Sequence, residues 1–294
     1  MSSPRKTNQA WIRWVRPWVL LASVMTYILG LGVVHYLGQA MDVGVAAAGL
    51  GWLLSIQAGM YLLEGGFTSL ERAASTDVVA ARRTQYSIWS AFGMFAAGAS
   101  LTVVLIARVG YRPVVLMVML VYFLLLVAYA LPPLRAARNG YGEVIVAIAA
   151  SNFAPLLAFV WQVGEVHRLL GMTTFALPFL HLAALLALEL ETYADDLQHL
   201  RYTLMLRLGW EEGMRLHNAL IVAALLVLGA ALGFGLSPGV GMPALLALPL
   251  GAFQIWYVGR IRDGASPQWR LLRLGALSLY ILPTYLLTFA LWVH

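Results

Sequence analysis

The 294-residue chain has no cysteine, and only 11% of its residues are charged. The first absence excludes disulfides, thiolate nucleophiles and thiolate metal centres. The second is uneven, because ionisable side chains are nearly missing from the middle of every long apolar run, His181 being the main exception. A charge at the bilayer centre costs roughly 2.5–3.5 kcal/mol on insertion scales and is usually kept for function. An ion-coupled transporter wants carboxylates or broken helices near the midplane, so that class is disfavoured. For His181 the expectation is a hydrogen-bonded packing role. Low-complexity segments and linkers to a soluble domain are also lacking, and no small-x-small cleavage site follows the first apolar run. That run is expected to stay as a first helix.

Apolar residues are abundant. They make up 61% of the chain, against roughly 45–50% in soluble domains, and one soluble core cannot hide the excess. An apolar helix of about 20 residues crosses the hydrocarbon layer. That ruler gives nine candidates, near 18–38, 44–63, 87–107, 113–132, 143–162, 172–190, 217–236, 240–259 and 273–292. Backbone groups in lipid must satisfy one another, and unbroken apolarity excludes barrel strands. The expectation is an all-α polytopic protein, residues 1–294 forming a single membrane domain. Gly229 and Gly233 fit a small-xxx-small helix contact.

The basic residues set the expected topology. With residues 1–16 in the cytoplasm, Arg5, Lys6, Arg13, Arg16, Arg72, Arg82, Arg83, Arg135, Arg138, Arg201, Arg207, Arg215, Arg260, Arg262, Arg270 and Arg273 all lie on that side. Only Arg108, Arg112 and Arg168 are left outside. This asymmetry predicts a cytoplasmic N-terminus and an external C-terminus in a plasma (inner) membrane. The net charge of +6 is explained by topology, so nucleic acid is not an expected partner.

Two connections are long, about 64–86 and 190–216, and both are expected on the cytoplasmic face. They hold Glu64, Glu71, Asp77, Glu189, Glu191, Asp195, Asp196, Glu211 and Glu212, nine of the 13 acids. Glu191, Asp195 and His199 share one face of a helix continuing out of span 6, with Asp196 one step round. Glu64 and Glu71 share a face if span 2 continues helically. Such carboxylates are hard ligands suited to magnesium, which prefers one or two carboxylates plus substrate phosphates. Arg72, Arg82, Arg83, Arg138 and Arg201 stand near them, and arginine binds phosphate bidentately. Acids, arginines and a lipid-facing bundle point to a substrate with a diphosphate head and a hydrocarbon tail, a polyprenyl diphosphate. The same arginines also read as topology determinants, Glu211 and Glu212 as a solvated turn, and Asp77 as a helix cap.

Four stretches carry a resemblance to the UbiA-type superfamily of membrane prenyltransferases. "WVRPWVLLASVMTYILGLG" (14–32) resembles the family's Arg-Pro-x-Thr-Leu start of helix 1. "YALPPLRAARNGYGE" (129–143) is similar to the Tyr-Ser-x-Pro-Pro-Leu-Arg…Gly-x-Gly-Glu segment of chlorophyll synthases and menaquinone prenyltransferases. "DDLQHLRYTLMLRLG" (195–209) resembles the second aspartate motif and its tail. "LEGGFTSLE" (63–71) lies where the family has Asn-Asp-x-x-Asp-x-x-x-Asp, but with Leu63 for Asn, Phe67 for one Asp, and Glu64 and Glu71 for the others. The resemblance implies transfer of an isoprenoid chain to a hydrophobic or aromatic acceptor, as in quinone biosynthesis. It further implies magnesium held by Glu64, Glu71, Glu191, Asp195 and Asp196, and diphosphate held by Arg72, Arg82, Arg138 and Arg201. Tyr61, one turn before Glu64, would line the allylic cation's path or simply pack. A non-catalytic relative that binds a lipid or quinone-like ligand, or serves as a membrane-complex subunit, is the alternative.

Overall fold

The computed structural model describes residues 17–72, 78–198 and 202–294, with backbone alone at 71, 72, 78–81 and 83. These residues form nine long helices: α1 (Pro17–Tyr36), α2 (Val43–Arg72), α3 (Val78–Val109), α4 (Pro113–Ala130), α5 (Gly142–Val163), α6 (Arg168–Gln198), α7 (Trp210–Gly233), α8 (Pro238–Arg262) and α9 (Trp269–Val293). All nine are long and apolar enough to cross a bilayer, and there is no strand among the described residues. The protein is an all-α, multi-pass integral membrane protein. Consecutive spans alternate in direction, so the ends of α2, α4, α6 and α8 meet the starts of α1, α3, α5, α7 and α9 at one face.

The helices outrun the apolar stretches from which they are legible. α2 and α3 run 30 and 32 residues, so most of the 64–86 connection is helical. α6 continues to Gln198, and a short helix, Leu204–Leu208, precedes α7. Lipid rewards apolarity over about 30 Å only; beyond that depth a helix can turn polar without ending.

α5 is the most buried span and α3 the least. In α5, Ala149–Phe153 form a π turn. Pro155 has no N–H to offer the carbonyl one turn back, which explains a locally widened ladder. The Thr26 hydroxyl of α1 donates to the carbonyl of Ala150 within this turn. Gly30 lets α1 come that near: a Cβ there would stand 2.3 Å from the Pro155 carbonyl oxygen. The Ser151 hydroxyl in the same turn is 3.1 Å from His181 Nδ1 on α6 and 3.1 Å from the Tyr280 hydroxyl on α9. The His181 and Tyr280 rings stack at 4.4 Å. His181 is thus a satisfied, buried packing residue, as its sequence context suggests.

Aromatic rings fill the bundle around α2, α4 and α5. Trp52 lies between Tyr122 and Trp161, with centroids at 5.9 and 5.5 Å. The expected helix contact through Gly229 and Gly233 is not made among the described residues. Both are exposed on α7, with no atom near enough to touch an added Cβ. Their face is turned to the lipid side by the apolar residues on the opposite side of α7, where Ile221, Ala224 and Leu228 are buried.

Candidate functional site

The acids gather at the ends of α2 and α6. Glu64 is half-buried near the end of α2, and its Oε1 accepts from the Thr68 hydroxyl at 2.7 Å. Phe67, where the resemblance expects an acid, packs instead with Leu62, Leu63 and Ala91 in a small apolar cluster. Glu71 and Arg72 complete the helix, but their side chains lie outside the described residues. On α6, Asp195 is exposed and Asp196 is 3% exposed. An Oδ2 of Asp196 accepts from Thr192 at 2.8 Å. Glu191 forms an ion pair with Arg273 of α9 at 3.7 Å. Among the described residues, no three His, Asp or Glu side chains stand close enough together to make a ready metal cage. Glu211 and Glu212 open α7 on its exposed surface, where Glu212 pairs with Arg215.

A pocket of about 680 Å³ opens at this end of the bundle, between the α4–α5 connection and the segment leading into α7. One wall carries Pro133, Arg135, Arg138, Asn139 and Gly140; the other carries Tyr202, Thr203, Leu206 and Arg207. The walls fit because Gly140 has φ of 72° and no side chain. A Cβ there would sit 3.1 Å from both the Arg207 side chain and the Thr203 carbonyl. Arg207 spans the gap: its Nη1 donates to the Asn139 carbonyl at 2.7 Å, and its guanidinium lies 4.3 Å over the Tyr141 ring. No acid is among the pocket's described lining residues. Three guanidinium-bearing side chains around one opening make a field that favours an anion, with forks matched to phosphate or carboxylate oxygens.

Two carboxylates hold the second wall from behind. Glu143 of α5 is 5% exposed, and its Oε2 accepts from the Leu204 N–H at 3.3 Å. Glu189 of α6 accepts from the Met205 N–H at 3.2 Å, while Thr203 Oγ1 accepts from the Leu206 N–H. A five-residue helix cannot bond its own first donors; here three side-chain oxygens do so.

Of the arginines expected from sequence, Arg138 lines the pocket and Arg82 is exposed on α3. Arg201, with His199, lies outside the described residues, as do Asp77 and the side chain of Arg83. Arg135 and Arg207 were not singled out as ligand residues, although both stand in quoted motif segments: Arg135 follows the Pro-Pro-Leu run, and Arg207 belongs to the Arg-Leu-Gly tail. Tyr61 is 1% exposed; its hydroxyl accepts from Gln57 Nε2 at 3.0 Å, and its ring meets that of Tyr129 edge-on at 5.4 Å.

The profile of the UbiA prenyltransferase family matches residues 78–292. Among solved structures, a UbiA homolog from Archaeoglobus fulgidus bound to GPP and Mg2+ has a TM-score of 0.66 at 15% identity, covering 97% of this chain and 100% of that one. The same homolog bound to DMAPP and Mg2+ has a TM-score of 0.61 at 14% identity, with coverages of 94% and 98%. A digeranylgeranylglyceryl phosphate synthase has a TM-score of 0.61 at 13% identity, with 98% of each chain covered. No curated protein matches the sequence.

Proposed function

Because the chain belongs to the UbiA prenyltransferase family, we propose that it transfers a polyprenyl chain from a polyprenyl diphosphate to an aromatic acceptor. The observation that carries this reading is the arginine-lined pocket at the end of the bundle where α6 carries Asp195 and Asp196. The diphosphate head would sit between them, and the hydrocarbon tail would run into the bundle. The allylic carbon–oxygen bond breaks, and diphosphate leaves with the electron pair. The acceptor's nucleophilic atom then bonds to the allylic carbon, and the acceptor gives up a proton. Arg138 and Arg82, with Arg72 and Arg201, would neutralise charge on the departing diphosphate. Tyr61 would face the cation with its ring.

Magnesium fits the donor set in a limited way. One or two carboxylates from the end of α6 suit an ion that completes its shell with phosphate oxygens and water. The scattered positions of the other acids do not suit an all-protein cage. Glu191, Asp195 and Asp196 of α6, with Glu64 and Glu71 of α2, would hold it. Bound there, magnesium would supply charge neutralisation at the leaving group. The basic asymmetry supports an active face in the cytoplasm, in a plasma or inner membrane. Homologs found with GPP, DMAPP and Mg2+ support the substrate class.

A second reading rests on Phe67 and Glu64. The first is packed with apolar neighbours and the second bonded within its own helix, as suits a relative that binds a lipid or quinone-like ligand without turning it over. Binding of geranylgeranyl diphosphate to the protein in nanodiscs, with and without magnesium, separates the two. Magnesium-dependent binding that Asp195→Ala with Asp196→Ala abolishes is the expected result. Equal binding under all conditions, or none, would overturn the transferase.

A further inference from the structure

We propose that Glu143 and Glu189 are positioning residues for the arginine pocket: their carboxylates act through the backbone of Leu204 and Met205 to set where Arg207 and Thr203 stand. The inference rests on the reading of that pocket as the anion site. Leu204–Leu208 is too short to persist as a helix alone, and its opening N–H groups are bonded by side chains from two other spans. The other side of the same short segment forms a pocket wall and is fixed to the first wall through Arg207, by the Asn139 carbonyl and the Tyr141 ring. The two carboxylates on one side, and the contacts of Arg207 with Asn139 and Tyr141 on the other, therefore hold the same segment.

Charge alone would argue against acids in this place. A negative group near an anion site repels the ligand, and a buried carboxylate is costly to desolvate. Glu143 is nonetheless buried at the start of α5, directly after the pocket's first wall. Its geometry gives the compensation: an ionised oxygen accepting from a backbone N–H makes a stronger bond than a neutral acceptor does. The helix start so held places Arg207 three residues further on, one turn away.

This leads to opposite expectations for two substitutions at each position. Glutamine keeps an oxygen that accepts from the N–H and removes the charge. Alanine removes both. If the carboxylates mattered only by repelling the anion, both substitutions would tighten binding. If they position the wall, alanine weakens binding although a repulsive charge has gone, and glutamine does not.

The test is binding of inorganic pyrophosphate and of geranylgeranyl diphosphate to the protein in nanodiscs. It compares wild type with Glu143→Ala, Glu143→Gln, Glu189→Ala and Glu189→Gln, and follows backbone hydrogen exchange over 203–208. Each alanine variant should bind about tenfold more weakly, the scale of one charge-assisted bond, and exchange faster in that segment. Each glutamine variant should stay within about twofold of wild type. Wild-type binding with alanine variants that bind equally or more tightly would overturn the inference and leave the pocket's reading intact. No binding by wild type would remove both. Should an alanine variant fail to fold, the glutamine variants decide: loss of binding in a folded glutamine variant overturns the inference.

Discussion

The ends of α2 and α6 occupy related places in the bundle, yet their acids are engaged differently. On α2, Glu64 bonds to Thr68 one turn along the same helix, and Phe67 is absorbed into an apolar cluster with Leu62, Leu63 and Ala91. On α6, Glu189 reaches the start of the short helix and Glu191 reaches Arg273 of α9, while Asp196 bonds within its own helix to Thr192. Glu64 and Asp196 are each bonded to a hydroxyl one turn away on their own helix, whereas Glu189 and Glu191 tie α6 to other elements. A carboxylate integrated into a tertiary network loses more when removed than one whose partner lies on the same turn. On the proposed function, the α6 end would carry the greater share of the chemistry, and the α2 end, where Phe67 stands packed in place of an acid, the lesser.

That asymmetry can be broken by measurement. Asp195→Ala with Asp196→Ala should lower kcat for prenyl transfer about a hundredfold or more, the scale of losing charge stabilisation at a leaving group. Glu64→Gln should lower it only about tenfold. Labelled prenyl incorporation in proteoliposomes gives both numbers, and equal losses would show two equivalent ends. Phe67→Asp brings an acid back to the α2 end at the expense of packing. It should destabilise the protein by about 1–3 kcal/mol, read by thermal unfolding, while lowering the magnesium concentration needed for half-maximal activity. An unchanged magnesium requirement would mean that position 67 does not face the ion. Glu191→Gln should cost less than about 1 kcal/mol of stability, because its Arg273 partner is half-exposed and such pairs contribute little. A raised magnesium requirement with unchanged stability would assign Glu191 to the metal; an unchanged requirement would assign it to the ion pair alone.

The architecture was legible because lipid allows so few solutions. Each of the nine apolar runs lies for most of its length in one of the nine long helices among the described residues. The polar extensions of α2, α3 and α6 were less legible, since an amphipathic helix end beyond the hydrocarbon looks like a loop when only apolarity is counted. The spacing of Glu191, Asp195 and Asp196 on one continuing helix was readable from period alone. The roles of Glu143 and Glu189 were not, because each accepts from a backbone N–H far along the chain, and no side-chain spacing encodes that. Glu189 reads from sequence only as one more acid in a cluster, yet it accepts from the Met205 backbone. Arg207 was hidden for a different reason: an arginine on the expected cytoplasmic side is already explained by topology. Gly229 and Gly233 show the converse, a spacing with no partner among the described residues.

The π turn at Ala149–Phe153 fixes more than a local bond. Each residue of an α-helix advances about 100° around its axis, and a π turn accommodates one residue beyond that count. The two halves of α5 are therefore out of phase with each other by the angle of that single residue. Trp161 in one half and Glu143 in the other both face the interior on helical wheels that do not superimpose. The azimuth of Glu143 is thus set in the middle of the bundle, at the turn whose Ala150 carbonyl accepts from Thr26. A chain shortened by one residue there would close the ladder to an ordinary α-helix and leave both ends facing as before. The same deletion elsewhere in α5, with the π turn kept, would swing one end by about 100° against the other and turn Glu143 away from the Leu204 N–H.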